Sequence, residues 1–305
     1  MIIDAHVHIF PDSVAPKAIA NLQRHAPHPL ATDGTLTGLQ ASMAKAGIDK
    51  SIILPVSTNP DQVPSINRYA VKLNQIQKDA PLYDCGDPAA PRTGISKSKS
   101  IATERDGHLI ITPLRPIIAF GSLHPDFSNF RDEIKRLKDF GVKGVKMHPD
   151  YQNFDADEKK LFPLYEALAE AGLVLYLHAG ENINIKEKPR CTPEKLANIL
   201  KNFPQLKLIA AHLGGWNLWD ETERFLVGSS IYLDTSFTLG YIKTEQFLRI
   251  VRSHGIEKII FGSDSPWNDQ KKSTNDILDL PLSREEKNSI LGKNSASLFF
   301  LPFTM

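Results

Sequence analysis

Residues 142–178 read VKGVKMHPDYQNFDADEKKLFPLYEALAEAGLVLYLH. Both ends of this stretch, Val142–His148 and Leu173–His178, are predicted strands, and the second is almost continuously apolar, as parallel strands covered on both faces usually are. Between them, Leu161–Ala171 has apolar residues at helical spacing and is followed by Gly172, a residue type that commonly ends helices. A strand, a helix and a second strand in this order predict a right-handed parallel βαβ unit.

The same alternation of strands and helices continues through most of the chain. Repeated βα units imply a parallel sheet, and eight of them most simply close into a (β/α)8 TIM barrel. The eight predicted strands are Ile2–His8, Lys50–Val56, Ile117–His124, Val142–His148, Leu173–His178, Leu206–His212, Ile231–Thr235 and Lys258–Gly262. The predicted helices are Leu36–Ala46, Phe130–Phe140, Leu161–Ala171, Pro193–Asn202, Glu245–His254 and Glu285–Leu291.

One stretch, residues 82–116, breaks this rhythm with a composition rich in proline, serine and glycine. Ordinary connections are only about 2–6 residues long, so we interpret it as a loop insertion before the third strand. Only Leu109–Ile111 within it resembles a strand. A mobile lid, a small hairpin, an arm of a homodimer and a tolerated surface loop all remain open. Residues 1–305 are otherwise predicted to form a single domain.

The composition is that of an ordinary globular protein, with 23% charged and 41% hydrophobic residues. The net charge of +1 predicts no attraction to nucleic acid or to a membrane surface. No segment approaches the roughly 20 apolar residues that span a bilayer, and the N-terminus does not resemble a signal peptide. Cys85 and Cys191 show no metal-binding spacing and are predicted to be free thiols. We therefore expect a cytoplasmic protein.

The strongest chemical signal is Asp4-Ala5-His6-Val7-His8 in the first predicted strand. Successive side chains of a strand point to opposite faces, so His6 and His8 point the same way and can bind one metal ion together. Two histidines that only happen to alternate are the alternative. The metal interpretation is favoured because barrel interiors usually hold branched apolar residues rather than polar pairs.

Further histidines and an aspartate stand at the ends of other predicted strands, which face one mouth of such a barrel. They are His124, His148, His178, His212 and Asp264. A lone histidine is more often a structural hydrogen-bonding group, and His124 and His148 fit that description too. Imidazoles with one carboxylate suit zinc, with Mn²⁺ or Fe²⁺ as alternatives. Such a metal lowers the pKa of a bound water toward about 7.

This pattern resembles the amidohydrolase superfamily, and within it the amidohydrolase-related branch. That branch includes decarboxylases of aromatic and unsaturated acids, lactone hydrolases and many uncharacterised hydrolases. The matching positions are His6 and His8, then His178, His212 and Asp264. The resemblance implies one divalent metal coordinated by His6, His8, His178 and Asp264. It implies catalytic roles for His212, beside the metal-bound water, and for Asp264, whose counterpart accepts a proton in some members.

Lys146, in the fourth predicted strand, allows two interpretations. Some members of the superfamily carry a carboxylated lysine on this strand that bridges two metals, and Lys146 precedes His178 by enough residues for that role. An unmodified Lys146 would instead bind a substrate carboxylate, with His148 hydrogen-bonding nearby. We favour the unmodified lysine and a single metal.

The predicted loops at the mouth also carry Trp216, Trp267 and Arg190. Aromatic walls with one arginine would suit a small, flat or carboxylated substrate. Packing of the tryptophans against neighbouring loops is an equally good interpretation of those two residues.

Three functions remain after these observations. The favoured one is a metal-dependent hydrolase of a small amide, ester or lactone. The alternative is a metal-dependent decarboxylase of a small aromatic or unsaturated carboxylic acid, since both reactions use the same metal ligands. A barrel that binds metal without catalysis is disfavoured because His212 adds a proton-transfer group beside the predicted ligands.

Overall fold

A computed structural model describes residues 1–25, 29–78, 100–105, 108–183, 185 and 187–301. Its strands are β1 (Ile3–Val7), β2 (Lys50–Ile53), β3 (Ser100–Arg105), β4 (His108–Pro113), β5 (Ile117–Ala119), β6 (Gly121–Ser122), β7 (Gly144–Met147), β8 (Val174–Leu177), β9 (Leu208–Ala210), β10 (Tyr232–Asp234) and β11 (Ile259–Ile260). Its helices are α1 (Ala15–His25), α2 (Leu36–Ala46), α3 (Val63–Lys78), α4 (Phe130–Asp139), α5 (Pro149–Gln152), α6 (Phe162–Ala171), α7 (Pro193–Asn202), α8 (Trp219–Phe225), α9 (Thr244–His254), α10 (Gln270–Leu278), α11 (Arg284–Asn288) and α12 (Asn294–Leu298).

Parallel strands form two sheets, one in the order β1-β2-β5 and one in the order β11-β10-β9-β8-β7-β6. Only Phe120 separates β5 from β6, so these two strands join the sheets along the chain. At the other edge, the backbone N–H of Ala5 donates to the carbonyl of Phe261 at 2.8 Å, and that of Asp264 donates to the carbonyl of His6 at 2.8 Å. The parallel strands alternate with helices, which confirms the predicted α/β fold class.

Strand β8 shows why apolar runs of this kind form the centre of the protein. Leu175 and Leu177 belong to the large hydrophobic cluster, whereas Val174 and Tyr176 belong to a smaller one. Successive strand residues point to opposite faces, so both faces of β8 are buried. The smaller cluster also contains Phe299, whose ring packs edge-on against Phe120 at 5.6 Å.

Helix ends follow the local signals in the sequence. The Thr35 side chain accepts from the N–H of Gly38 at 3.0 Å and begins α2, while Thr192 begins α7 with Pro193 at the first helical position. Gly172 ends α6 in the left-handed conformation, with a φ of 69°. These helices and α9 lie within one or two residues of their predicted bounds.

Two groups of elements differ from the sequence prediction. Strands β7, β8 and β9 end one or two residues early, so His148, His178 and His212 stand at the start of the following segments rather than in the strands. Helices α1, α3, α5, α8, α10 and α12 are not among the predicted helices; α5 and α12 are too short for a helical period to show, and α1 and α3 are more polar than α2 and α6 and lack a terminal glycine. The helix predicted at Glu285–Leu291 is α11 followed by a π-helical turn at Ser289–Lys293.

The predicted insertion contains an antiparallel hairpin of β3 and β4, paired from Ser100 with Pro113 to Arg105 with His108. The rest of that prediction, residues 82–99 and 106–107, lies outside the described residues. No helix in the described part of the chain is long and apolar enough to cross a lipid bilayer.

Candidate active site

His6, His8 and Asp264 form a compact triad at the carboxyl ends of β1 and β11. The Nε2 atoms of His6 and His8 lie 3.1 Å apart, and the Asp264 Oδ1 lies 3.4 Å from the first and 3.3 Å from the second. Ligand atoms bound at about 2.1 Å to one tetrahedral cation would lie about 3.4 Å apart. The spacing of the three donor atoms therefore fits a divalent cation.

Asp4, two residues before His6 on β1, helps to fix the position of the triad. The Asp4 carboxylate accepts from the Ser263 N–H at 2.9 Å, the Ser263 hydroxyl at 2.6 Å and the Gln270 amide at 2.7 Å. These bonds tie β1 to the segment after β11. Asp264 follows directly and adopts a left-handed φ of 68°, a conformation that non-glycine residues hold only when their surroundings impose it.

Asp234, at the end of β10, holds His6 in the orientation that frees its Nε2. The Asp234 Oδ2 lies 2.7 Å from the His6 Nδ1 and also accepts from the Tyr176 hydroxyl. The other carboxylate oxygen accepts from the His212 N–H at 2.9 Å and from the Ser236 hydroxyl at 2.6 Å. Because Asp234 accepts the proton on Nδ1, the lone pair of His6 Nε2 points toward His8 and Asp264.

The protonation states of His6 and Asp264 suit cation binding in the triad of His6, His8 and Asp264, which we call the first triad. Burial, aided by the positive charge of Lys146, lowers the pKa of His6 to about 4, so its imidazole is neutral at pH 7. Burial acts to raise the pKa of Asp264, but the nearby His6 and the His8 hydrogen bond outweigh it and hold that pKa well below its usual range. The neutral imidazole and the carboxylate are the protonation states that bind metals.

His148, Asp150 and His178 form a second group whose ligand atoms could hold a cation. The rings of His148 and His178 stack 4.0 Å apart. The His178 Nε2 lies 3.6 Å from the Asp150 Oδ2, and both atoms are buried with no hydrogen-bond partner among the described residues. The sequence prediction placed His178 with His6, His8 and Asp264, whereas here its Nε2 faces Asp150.

His212 lies between the two triads. Its Nδ1 is 3.0 Å from the Ser236 carbonyl, and its Nε2 is 3.1 Å from the His178 Nδ1. The carbonyl can only accept, so the His212 Nδ1 carries a proton and the Nε2 of a neutral His212 accepts from His178. His212 is thus a proton-exchanging group in contact with a predicted metal ligand.

Lys146 is a buried cation without a hydrogen-bonded partner among the described residues, and the nearby charges of Asp234 and Asp264 offset its burial only in part. Its side chain is on β7, the residue is 1% exposed, and Nζ has no hydrogen-bond partner among the described residues. The ammonium lies 4.7 Å from the centre of the Tyr176 ring. Burial lowers the pKa of Lys146 to about 8, so the side chain is still mostly charged at pH 7.

A cavity of about 710 Å³ opens over these groups. On the side of the strand ends it is lined by His6, His8, Lys146, His178, His212 and Asp264. Its remaining walls are mostly apolar and come from the loops after the strands and from α1 and α3. An apolar cavity of this size with a few convergent polar groups is typical of a small-molecule site.

The structure brings most of the predicted substrate-binding residues to this cavity. His148, Trp216 and Trp267 line it, and the Trp267 ring packs edge-on against His8 at 5.1 Å. Arg190 does not line it, because its guanidinium is paired with Asp155 at 3.6 Å. His124 also lies outside the lining, and its Nδ1 accepts from the N–H of Asp126 at 3.2 Å.

Sequence reasoning missed Asp150, Tyr176, Asp234 and Ser236. Asp234 stands at the end of a predicted strand, which is the same signal that identified Asp264. Asp150 follows His148 by two residues at the start of a loop and could have been found in the same way. Tyr176 and Ser236 carry no such signal, because only the fold brings their hydroxyls to Asp234.

Comparisons with known proteins identify the family of this chain. A family model of amidohydrolases (Amidohydro_2) matches residues 100–301, which is more than half of the chain. The protein therefore belongs to this amidohydrolase family. No curated protein sequence gives a match.

Solved structures match the chain over nearly its whole length. A 5-carboxyvanillate decarboxylase from Novosphingobium aromaticivorans, complexed with manganese and 4-hydroxy-3-methoxy-5-nitrobenzoic acid, is 15% identical with a TM-score of 0.69, covering 99% of this chain and 96% of the other. A 2,6-dihydroxybenzoate decarboxylase from Rhizobium is 14% identical with a TM-score of 0.60 and 98% of each chain covered. An uncharacterised TIM-barrel protein from Bordetella bronchiseptica is 17% identical with a TM-score of 0.68 and 98% of each chain covered. At these identities the similarity shows the TIM-barrel fold.

Proposed function

We propose that this protein is a metal-dependent decarboxylase of an aromatic or unsaturated carboxylic acid. The observation that carries the proposal is Lys146, a buried ammonium without a hydrogen-bond partner among the described residues, which lines the cavity beside the first triad. An unpaired buried charge destabilises a protein, so such a charge at a cavity indicates a ligand of opposite charge. A carboxylate provides that charge.

The proposed cation is a single divalent ion held by His6, His8 and Asp264. His178 is the fourth ligand predicted from the resemblance. When bound, the ion would polarise a carboxylate or hydroxyl oxygen of the substrate as a Lewis acid. Zinc suits these ligands, but manganese is named in a solved structure of similar fold, so both ions must be compared.

The residues of the chain supply the remaining parts of the reaction. Lys146 would bind and orient the carboxylate, while the aromatic walls of the cavity hold the ring. Breaking the bond between the ring carbon and the carboxylate releases CO₂ and leaves the electron pair on the ring carbon. His212 lines the cavity and, once its Nε2 has taken a proton from His178 or solvent, would deliver the proton that this carbon requires.

The sequence favoured a hydrolase, and the same ligands would serve a metal-activated water. Two considerations support the lyase instead. Lys146 matches a charged substrate better than a neutral ester or amide, and two of the solved structures of similar fold carry the names of decarboxylases. A binuclear centre bridged by a carboxylated Lys146 is less favoured because its ammonium lies over the Tyr176 ring, an arrangement that suits a cation.

The test is to strip the purified protein of metal, reload it with Mn²⁺ or Zn²⁺, and measure bound metal and turnover. Hydroxybenzoic acids are offered beside their methyl esters and small lactones, while CO₂ release and ester hydrolysis are followed separately. We expect about one ion per chain and CO₂ release from an acid. Ester or lactone hydrolysis without CO₂ release would overturn the decarboxylase proposal.

Matched histidine variants identify the cation site in the same experiment. The double variant His6→Ala, His8→Ala should lose both the ion and turnover, whereas His124→Asn, outside both triads, should keep both. A double variant that retains stoichiometric metal would show that the first triad is not the site.

A further inference from the structure

The cavity is much larger than the proposed reaction at one aromatic ring requires. A buried apolar cavity of about 150 Å³ is enough to hold a benzene molecule. The cavity here, about 710 Å³ and open to solvent on one side, extends from Lys146 to α1 and α3, so a single-ring acid bound at Lys146 would leave the part beside these helices unfilled. The additional space must therefore accommodate a further part of the ligand or water.

The chemistry of the additional walls favours an apolar ligand group over water. Helices α1 and α3 and the residue just before α1 contribute Val14, Ala18, Asn21, Ser65, Ile66 and Tyr69 to the described lining. None of these six residues is charged, in contrast to the strand-end side, which carries Lys146 and Asp264. Asn21, Ser65 and Tyr69 carry hydrogen-bonding groups, but the lining as a whole is mostly apolar, and apolar walls hold ordered water poorly because a water needs two or more polar partners.

The mouth of the cavity is apolar as well. Val14 and Ile183 line the cavity and are 46% and 49% exposed. Tyr241, 51% exposed, stacks on Phe237 with ring centres 5.0 Å apart, and Phe237 is a lining residue. Large apolar side chains that line a cavity and are also exposed are typical of a binding surface, and Glu181 is the one acidic residue of the described lining beside them in sequence. They extend the apolar wall of the cavity outward to solvent.

We infer that the substrate is an aromatic acid with an uncharged apolar extension, such as a second ring or an alkyl chain, that packs against α1 and α3. This inference rests on the proposed function, because the acid group is assigned to Lys146 and the cation. The extension would lie between Ala18 and Ser65 and the apolar residues around them. The single-ring acids in the names of the similar structures would then be only the reactive part of the ligand.

The experiment measures binding by calorimetry to the cation-loaded full chain with four probes. They are benzoate, biphenyl-3-carboxylate and the methyl esters of both. Burying a second ring is worth at least about a tenfold gain in affinity. We expect biphenyl-3-carboxylate to bind at least about tenfold more tightly than benzoate.

Variants place the extension against the two helices. Ala18→Trp and Ser65→Trp should each abolish the gain from the second ring, measured in each variant as the ratio of the biphenyl-3-carboxylate affinity to the benzoate affinity. Lys17→Trp, on the exposed face of α1 next to Ala18, is the matched control and should keep the gain. Using one variant on each helix keeps the test informative if either protein fails to fold.

Two outcomes overturn the inference: equal affinities for the one-ring and two-ring acids, or a gain that survives both tryptophan variants. A third outcome distinguishes failure of the proposed function from failure of this inference. If neither acid binds but the biphenyl ester binds at least tenfold more tightly than the benzoate ester, the apolar extension is supported and the decarboxylase proposal fails. If no probe binds, both proposals fail.

Discussion

At the scale of single residues, Asp234 determines which nitrogen of His6 is available to a cation. Its two carboxylate oxygens contact the His6 ring, the Tyr176 hydroxyl, the Ser236 hydroxyl and the His212 backbone. Burial acts to raise the pKa of Asp234, but its contacts with His6 outweigh burial and hold that pKa well below the usual range. Asp234 is thus a positioning residue that acts through His6.

Asp234→Asn is expected to weaken cation affinity about 10- to 100-fold, the range typical of residues that orient metal ligands. The amide keeps the shape of the side chain but cannot accept hydrogen bonds on both sides, so it no longer fixes the His6 proton on Nδ1. Metal titration of the stripped protein measures the effect. Asp139→Asn, in an exposed ion pair with Lys135, is the control and should leave the affinity unchanged.

The charge on Lys146 should lower the free energy of unfolding of the protein. Its pKa falls from 10.5 in the unfolded chain to about 8 in the folded protein. Between these values the unfolded chain binds more protons, so stability rises with pH through this window and is lowered by the buried charge below pH 8. Lys146→Met should therefore raise the free energy of unfolding at pH 7 by on the order of 3 kcal/mol.

Urea unfolding at pH 7 and above pH 10 measures this change, which should shrink at the higher pH. Lys138→Met, an exposed lysine on α4, should leave stability nearly unchanged at both values. If the Lys146→Met variant folds but has a lower free energy of unfolding than the parent protein, the lysine contributes to folding rather than to binding.

The same pKa predicts how acid binding depends on pH. The affinity of the cation-loaded protein for benzoate should fall as the pH rises above 7, because burial and the nearby cation both lower the pKa of Lys146 and the ammonium loses the charge that attracts the carboxylate. In Lys146→Met the affinity should be weak and nearly flat between pH 7 and 9. A benzoate affinity in the variant equal to that of the parent would remove Lys146 from the site.

At the scale of elements, the loops after β8 and β9 form one wall of the site through a close approach of their backbones. Gly180 has a φ of 90°, and a Cβ there would stand 2.0 Å from the Trp216 nitrogen. The N–H of Trp216 donates to the Ala179 carbonyl at 3.0 Å, so the two loops are also hydrogen-bonded. Trp216 can line the cavity only because residue 180 has no side chain.

Gly180→Ala should destabilise the protein by more than 2 kcal/mol and displace Trp216, because backbone atoms cannot move away as a flexible side chain can. Gly172→Ala is the matched control: its φ of 69° is similar, but no atom lies within 4 Å of the added Cβ. That variant should cost about 1–2 kcal/mol from the left-handed conformation alone. Thermal unfolding compares the two, and equal losses would argue against the steric explanation.

Helices show which elements the sequence predicts well. Segments with a clear apolar stripe and a terminal glycine, such as α2 and α6, were located almost to the residue. Helices α1 and α3 were missed, although both line the cavity. Both are more polar on average than α2 and α6, and neither is followed by a glycine that would mark its end.

At the scale of the whole molecule, the cation should stabilise the fold. The first triad joins β1 to the segment after β11, so an ion there links the first and last strands of the parallel order. A ligand at 100 times its dissociation constant stabilises a native state by about 2.7 kcal/mol. Chelation should therefore lower the melting temperature of the parent protein, and Mn²⁺ or Zn²⁺ should restore it.

The variant His6→Ala, His8→Ala separates this effect from nonspecific action of the chelator. Its melting temperature should respond neither to chelation nor to added metal. A melting temperature of the parent that is also insensitive to both would contradict a cation site between β1 and β11.

The sequence by itself determined the parallel α/β fold and the strand ends that carry His6, His8, His178, His212 and Asp264. Those follow from local periodicity and residue type, which act over a few neighbouring positions. Only the tertiary structure decided that His178 faces Asp150, that Arg190 pairs with Asp155 away from the cavity, and that Asp234 orients His6. Each of these contacts joins side chains from different strands or loops, and their geometry depends on packing that no local pattern encodes.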